Sequence, residues 1–375
     1  MKSKAEKKDA YYIATHVSYN SKHIDNYGPP HYVYDFLKKN KKTVYFIKHC
    51  LQGEHDSIFI DERKSITKKI YMGKNFLATV IQHIFLNISM IDNKQAIYIG
   101  VNPINGFSGV ILKKLGRIKT FIYFTPDYAD KRFKNTLLNA IYHVLDIVSL
   151  KSANEVWSVS SRIVKKRKKQ GVDDSRNKLL PNSPNIADLP IRNNSYLERL
   201  IIVSHLTKSL NLEPILQSVK ALRKKTSLEL TIIGSGPELQ NMKSRVNELK
   251  LGKSVHFLGP LPHKEVLKEI SKSFIGLALY TKENSWNMYG DSMKAREYVA
   301  CGIPVIINSI PSTADDIKLH NAGLVLTKID VKKITEFVAK CMNDKRFYDN
   351  MCQNAVDLGK KFDKETVLKQ LLLNK

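Results

Sequence analysis

The sequence has few acidic residues, few cysteines and no long hydrophobic run, and each shortage excludes a class of protein. The N-terminal residues MKSKAEKKDAYYIATH lack the apolar core and the small-residue cleavage site of a secretory signal. The cysteines show neither metal-ligand nor redox spacing, which favours reduced thiols and a cytoplasmic protein. They are Cys50, Cys301, Cys341 and Cys352.

The most hydrophobic segment, residues 76–91, is too short to cross a membrane. A spanning helix needs about 20 apolar residues, and this segment is interrupted by Gln82, His83 and Asn87. It predicts a helix buried against a sheet.

Basic residues outnumber acidic ones by 61 to 35, giving a net charge of +26. Such a surface attracts polyanions, including nucleic acid, anionic lipid and sugar nucleotides, although general lysine enrichment would produce the same excess. Basic residues interleaved with exposed aromatics are missing, so no nucleic-acid partner is expected. The run RIVKKRKKQ, residues 162–170, places six basic residues on one short helix. It indicates either peripheral docking on the anionic inner face of the plasma membrane or a solvated helix face.

Apolar strand-like runs alternate with helical patterns along the whole chain. Runs that are apolar at nearly every position are typical of parallel sheets covered by helices on both faces. At 375 residues the chain suits two such doubly wound, Rossmann-like α/β domains. The predicted strands are 11–16, 43–48, 96–101, 119–124 and 155–159 in the first domain, and 199–204, 228–234, 254–259, 274–280 and 304–309 in the second.

Loss of periodicity after Pro181 marks the domain boundary. We expect a first domain over 1–182, a linker over 183–198 and a second domain over 199–346. The remaining residues, 347–375, predict helices that pack back on the first domain.

Two glycine-containing loops in the second domain are candidate phosphate sites. Gly234, Ser235 and Gly236 follow a buried strand and precede a helix, where free amides favour anions. The loop 289–292 precedes a second helix, with free amides predicted at Gly290, Asp291 and Ser292. Lys294 and Arg296 add positive charge, and Glu297 is a candidate acceptor of ribose hydroxyl hydrogen bonds.

Four segments in this region, VSHLTKSLNLEPIL, IIGSGPELQ, VHFLGPLPHKEV and EYVACGIPVI, resemble in order and spacing the retaining, nucleotide-sugar-dependent glycosyltransferases of the glycogen-synthase-like group, family 4. The resemblance implies the GT-B fold, two Rossmann-like domains facing each other across a cleft, with the donor on the second domain. It implies that Glu297 binds ribose and that the strand end from Phe257 to Leu261, with Leu258 and Gly259 as candidate contacts, lies along the base. No metal or cofactor is expected, because the nucleotide sugar is itself a substrate.

The sequence departs from this group's pattern at three positions. Tyr289 stands where the first of two acids is usual, and His205 and Leu210 stand where an Arg and a Lys usually neutralise the diphosphate. Lys208, Lys282, Lys294 and Arg296 are candidate substitutes. The departures leave two hypotheses open: a glycosyltransferase, or a degenerate GT-B protein that binds sugar or nucleotide without turnover.

In the first domain, two loops are candidate acceptor contacts. Gly28 and Pro29 form a rigid turn before a helix, which is also an ordinary strand-to-helix connection. Asp127 follows a buried strand and is a candidate catalytic base or a helix cap. Together these features predict an enzyme that transfers a sugar, hexosyl or related, to a glycan or lipid-linked acceptor in cell-surface polysaccharide synthesis.

Overall fold

A computed structural model describes residues 10–18, 26–51, 57–61, 76–190, 198–224, 226–281 and 285–373. The chain divides into two compact units. The first comprises residues 1–180 with 370–375, and the second comprises residues 181–369. In the described ranges, none of the helices has the length and apolar character needed to cross a membrane.

The first unit contains seven strands and five helices among its described residues. Its strands are β1 (Ala10–Val17), β2 (Thr43–Cys50), β3 (Ile58–Asp61), β4 (Ile97–Val101), β5 (Thr120–Thr125), β6 (Glu155–Ser158) and β7 (Asn177–Leu179). Its helices are α1 (Pro29–Lys39), α2 (Phe76–Met90), α3 (Asn102–Lys114), α4 (Thr136–Ser152) and α5 (Ser161–Lys169).

The seven strands form one sheet in the order β3-β2-β1-β4-β5-β6-β7. All neighbours are parallel except β2 and β3, which pair antiparallel through Tyr45–Asp61 to Lys48–Ile58. The five predicted strands of this domain are confirmed. The short edge strands β3 and β7 were not predicted, because four and three residues carry too little periodicity.

The helix α3 lies close against this sheet because two glycines face it. A Cβ atom on Gly106 would lie 2.7 Å from the Tyr123 ring, and one on Gly109 would lie 2.3 Å from the Phe121 ring. The same helix packs against α2 on one side and α4 on the other. These three helices therefore form one layer on the sheet.

The second unit contains a six-stranded sheet. Its strands are β8 (Arg199–Val203), β9 (Glu229–Ile233), β10 (Val255–Gly259), β11 (Ile275–Ala278), β12 (Val305–Asn308) and β13 (Gly323–Leu326). Its helices are α6 (Glu213–Leu222), α7 (Leu239–Glu248), α8 (His263–Ser271), α9 (Met293–Ala300), α10 (Thr313–Leu319), α11 (Val331–Asn343), α12 (Lys345–Lys361) and α13 (Lys364–Leu372), the last of which crosses the division between the units.

All pairs in this sheet are parallel, in the order β10-β9-β8-β11-β12-β13. The architecture is therefore α/β with two largely parallel Rossmann-like sheets, as the sequence predicted. The core of the second unit joins strand residues such as Ile202, Ile232 and Ile306 to helix residues such as Leu216 and Val338. All four cysteines are buried free thiols.

Residues 345–369 and the described part of the predicted linker belong to the second unit. The Tyr348 hydroxyl of α12 donates to the Phe274 carbonyl at 2.8 Å, and α12 packs on α9. The Ile186 amide donates to Asp363 Oδ1 at 3.0 Å. Linker residues 191–197 lie outside the described ranges.

Candidate functional site

The order of the second sheet reverses between β8 and β11, and the two strands separate there. They pair only through Ile275–Leu200 and Gly276–Ile201. Beyond that point the Tyr298 hydroxyl accepts from the Val203 amide at 2.9 Å and donates to the Leu277 carbonyl at 3.5 Å. Ligands of open α/β sheets bind outside the carboxyl ends of strands at such a reversal.

The side chain of Lys294 lies at this separation. Its Nζ atom donates to Ser204 Oγ, just after β8, at 3.1 Å and lies 5.4 Å from the centre of the Tyr280 ring, just after β11. Desolvation lowers the pKa of Lys294 to about 8, although the nearby Glu297 carboxylate raises it. Within the described ranges Lys294 makes no ion pair, so this cation is available to an anion.

Hydrogen bonds to neighbouring loops fix the start of α9. Ser292 caps the helix, its Oγ atom accepting from the Ala295 amide at 3.2 Å and contacting the Tyr280 hydroxyl at 2.5 Å. The Asn308 side chain pairs with both the amide and the carbonyl of Tyr280. These hydrogen bonds hold the start of α9, which carries Lys294, next to the loop that carries Tyr280.

Glu297, on the same helix, is buried and hydrogen-bonded to a histidine that sequence reasoning missed. His263, the first residue of α8, donates from Nε2 to Glu297 Oε1 at 2.7 Å. This hydrogen bond raises the pKa of His263 more than desolvation lowers it. The available signal was LPHKEV, which places a histidine at the first helical position after β10.

Arg296 does not replace the missing cations of the donor site. It is buried and bonds to Asp291 Oδ1 at 2.9 Å and to Asp316 Oδ2 at 2.5 Å. The Asp291 carboxylate also accepts from Thr313 Oγ1 at 2.7 Å and from the Asn182 amide at 2.8 Å. Both charged groups are engaged within the protein, so the side chain of Asp291 is structural.

The prediction of free amides in the 290–292 loop is wrong for two of the three. The Gly290 amide donates to the Asn287 carbonyl at 3.3 Å, and the Ser292 amide donates to Thr313 Oγ1 at 2.7 Å. The Ser292 amide is occupied because α10 begins beside this loop and Thr313, its first residue, supplies a hydroxyl acceptor. Of the predicted anion contacts, the Lys294 side chain is therefore better placed than the loop backbone.

The glycines after β9 hold two loops together. A Cβ atom on Gly234 would lie 1.9 Å from the Ser204 carbonyl oxygen, and one on Gly236 would lie 2.2 Å from the Leu206 carbonyl oxygen. The Gly234 amide donates to the Gly259 carbonyl at 2.9 Å. The Leu206 amide donates to the backbone carbonyl of the exposed Ser235 at 2.9 Å. Close packing of these loops explains the glycines without a ligand.

The remaining donor-site candidates differ in position. Leu258 is exposed at a register shift of β10, and Gly259 has a φ of +72°. His205 is exposed, whereas Leu210 is part of the hydrophobic core.

Lys208 is also exposed, and it lines a cavity of about 270 Å³ together with Glu213 and Arg245. Tyr289 is half-buried, and Lys282 lies outside the described residues.

The acceptor-side candidates belong to the first unit. Gly28 is the N-cap of α1 and Pro29 is its first residue. Asp127 forms an ion pair with Arg132 at 2.5 Å and does not cap α4, which Asn135 caps. Their roles toward an acceptor stay predictions.

A cluster of histidines from β1, β2 and α2 lies where β1 and β2 end, and sequence reasoning did not find it. His16 Nε2 lies 3.1 Å from His83 Nδ1, and the rings of His83 and His49 stack at 4.3 Å. Asn105 bonds to His16 at 3.0 Å, and Asn87 bonds to His49 at 3.0 Å. Burial lowers the pKa of His49 to about 4 and of His83 to about 3.

Three of the six basic residues in the run on α5 are engaged within the protein. Arg167 is buried and bonds to Asp146 at 2.5 and 2.9 Å, Lys166 pairs with Asp130, and Lys168 pairs with Asp174. Lys165 and Lys169 are exposed, and docking of this helix on an anionic membrane stays a prediction.

Comparison with known proteins concerns the second unit first. Residues 190–357 match the family model described as glycosyl transferases group 1. A curated relative from Streptomyces coelicolor, "Exopolysaccharide phosphotransferase SCO2592", is 22% identical over 56% of this chain, which spans 22% of that protein's length.

Among solved structures, Anabaena HepE in complex with UDP is 13% identical with a TM-score of 0.70, covering 97% of this chain and 98% of its own. A Rickettsia africae glycosyltransferase is 12% identical with a TM-score of 0.68, covering 98% and 100%. Both likenesses establish the fold, that of the GT-B glycosyltransferases.

Proposed function

We propose that this protein is a glycosyltransferase that moves a sugar, hexosyl or related, from a nucleoside-diphosphate donor to a glycan or lipid-linked acceptor. The observation that carries the proposal is the position of Lys294, a partly desolvated cation where β8 and β11 separate that forms no ion pair with any described residue. A diphosphate is the ligand class that such a cation stabilises. The group 1 domain over residues 190–357 and the UDP bound by HepE support this choice.

In the proposed reaction, the bond between the anomeric carbon and the diphosphate oxygen breaks. The acceptor hydroxyl oxygen forms a bond to that carbon, and its proton passes to the leaving diphosphate. Negative charge then accumulates on the leaving diphosphate, and Lys294 stabilises it. The Glu297 carboxylate accepts hydrogen bonds from the ribose, while His263 holds that carboxylate in position. We further propose that the sugar keeps its anomeric configuration and that no metal takes part.

The name of the Streptomyces relative suggests exopolysaccharide as the product class. We propose that this chain acts in surface polysaccharide synthesis at the cytoplasmic side of the membrane. Asp127 is proposed to contact the acceptor, with its carboxylate held by Arg132.

The degenerate alternative differs from the enzyme in turnover alone. His205, Leu210 and Tyr289 remove the usual charged groups, and a protein that kept the fold would still bind the donor. Nucleotide binding and sugar transfer must therefore be measured separately.

The test is a thermal-shift screen of the full chain with UDP, GDP, ADP and UDP-glucose, followed by an assay of nucleotide release. A ligand at a hundred times its Kd stabilises a protein by about 2.7 kcal/mol. Stabilisation by one nucleoside diphosphate with acceptor-dependent release supports the enzyme. Stabilisation without release for any glycan acceptor supports the degenerate protein, and no stabilisation by any nucleotide contradicts both.

A further inference from the structure

Exposed apolar side chains are concentrated on the three-helix layer of the first unit. In the described part of the chain, nine of the thirteen exposed large hydrophobic residues lie on α2, on α4 or at the end of α3. They are Phe76, Leu77, Ile81, Phe85, Leu115, Leu137, Leu138, Ile141 and Val144. Scattered single hydrophobic residues are normal on a protein surface, but a concentration of this kind marks an interaction site.

The sequence predicted that α2 is buried, and this prediction is wrong for its outer face. Ile81 is 60% exposed and Phe85 is 66% exposed, one turn apart on the side away from the core. The helix FLATVIQHIFLNISM contains no charged residue at all. A helix that exposes one face to water normally carries charges on that face.

The same feature occurs on α4. Ile141 is 47% exposed and Val144 is 60% exposed, while the charged residues of the helix are Lys151 and the buried Asp146. On α3, which packs against both α2 and α4, two further apolar residues are only partly buried. They are Ile104 and Ile111.

Exposed lysines surround this layer. Lys131 and Lys134 precede α4, and Lys94 and Lys114 lie at or just after the ends of α2 and α3. Within the described ranges none of these four lysines forms an ion pair. The acids beside α4 are engaged, Asp127 with Arg132 and Asp130 with Lys166.

We propose that the outer face of α2, α3 and α4 is a docking surface for an anionic lipid bilayer. Apolar side chains enter the boundary between headgroups and acyl chains, and the surrounding lysines contact anionic headgroups. A second copy of this chain fits the surface less well, because it brings the same net charge of +26 to the contact. This surface consists of first-unit residues only and is independent of the proposed donor site.

The test is co-sedimentation of the full chain with vesicles of 30% phosphatidylglycerol in phosphatidylcholine, compared with pure phosphatidylcholine. Two double variants address the face, Ile81→Gln with Phe85→Gln and Ile141→Gln with Val144→Gln. Because these side chains are exposed, the variants should fold, which circular dichroism verifies. Leu319→Gln is the matched control, since Leu319 is 73% exposed on α10 of the second unit.

We expect binding to the anionic vesicles that weakens tenfold or more in each double variant and is unchanged in Leu319→Gln. Lys131→Gln with Lys134→Gln should weaken binding to anionic vesicles and reduce its salt dependence. No binding to anionic vesicles, or equal binding by the wild type and the face variants, overturns the proposal. So does concentration-dependent self-association without lipid that the face variants abolish, because the surface would then join two copies. Nucleotide binding by the same variants reports on the donor site independently.

Discussion

His263 Nε2 lies 2.7 Å from Glu297 Oε1, so a mostly exposed histidine is bonded to a buried carboxylate on another helix. The two side chains come from α8 and α9, the helices on either side of β11 in the chain. A ribose that binds Glu297 must share this carboxylate with His263 or displace it.

The hydrogen bond between His263 and Glu297 predicts a shift in the pKa of His263, which can be measured. Glu297 raises the pKa of His263 above its usual 6.5, so His263 should stay protonated to higher pH than a free histidine. The stabilisation from the pair is complete below pH 6.5 and is lost as the pH rises through the raised pKa. NMR titration should show this shift, and Glu297→Gln should return the pKa of His263 toward 6.5. His320, whose pKa is lowered mainly by burial, is the internal control. An unchanged His263 titration in the variant would mean that the bond does not form in solution.

The Asp291 carboxylate should matter for stability. Removing one partner of a buried ion pair costs about 3–5 kcal/mol when the other charge stays buried without compensation. Because Arg296 keeps Asp316 as a second partner, we expect Asp291→Ala to lower the free energy of unfolding by about 3 kcal/mol or less, measured by urea denaturation. Asp349→Asn, an exposed change on α12, should stay within about 0.5 kcal/mol of the wild type. Normal stability with lost nucleotide binding in Asp291→Ala would instead assign the side chain to the ligand.

The histidine cluster should make the protein sensitive to acid. Burial holds the pKa of His16, His49 and His83 below 6.5, so the unfolded chain binds more protons than the folded one as the pH falls below 6.5. Stability is complete above pH 6.5 and should fall below it by up to about 1.4 kcal/mol per pH unit for each histidine. Urea denaturation between pH 8 and 5 measures this slope.

Replacing one member tests the origin of that slope. His83→Leu removes a ring whose Nε2 finds no hydrogen-bond partner among the described residues, and it should flatten the pH dependence. His143→Gln, outside the cluster, should leave the slope unchanged. Equal slopes in all three proteins would assign the acid sensitivity to other groups.

The sequence predicted the fold more completely than the site. Long apolar strands such as Thr120–Thr125 and Arg199–Val203 specify a covered parallel sheet by composition alone. Short edge strands such as Asn177–Leu179 have no apolar run that would predict them, because their pairing depends on a neighbouring strand that is distant in sequence.

The contacts of the site could not be predicted because they join distant segments. Lys294 was identified as a cation, but its contact with Ser204 spans 90 positions. Arg296, two residues later, has the same charge and the opposite role, since Asp316 on the next helix neutralises it. Likewise, nothing in the local sequence shows that the Ser292 amide donates its hydrogen bond to the Thr313 hydroxyl.

The central claim is that Lys294 supplies the charge that holds a nucleoside diphosphate where β8 and β11 separate. Titration calorimetry of the preferred nucleoside diphosphate against Lys294→Met and against Lys318→Met, an exposed lysine on α10, tests it most directly. Because the pKa of Lys294 is about 8, wild-type affinity should fall as the pH rises above 8, while Lys294→Met should show no such fall. We predict that Lys294→Met binds at least tenfold more weakly than Lys318→Met at pH 7. Equal affinity of the two variants would contradict the account.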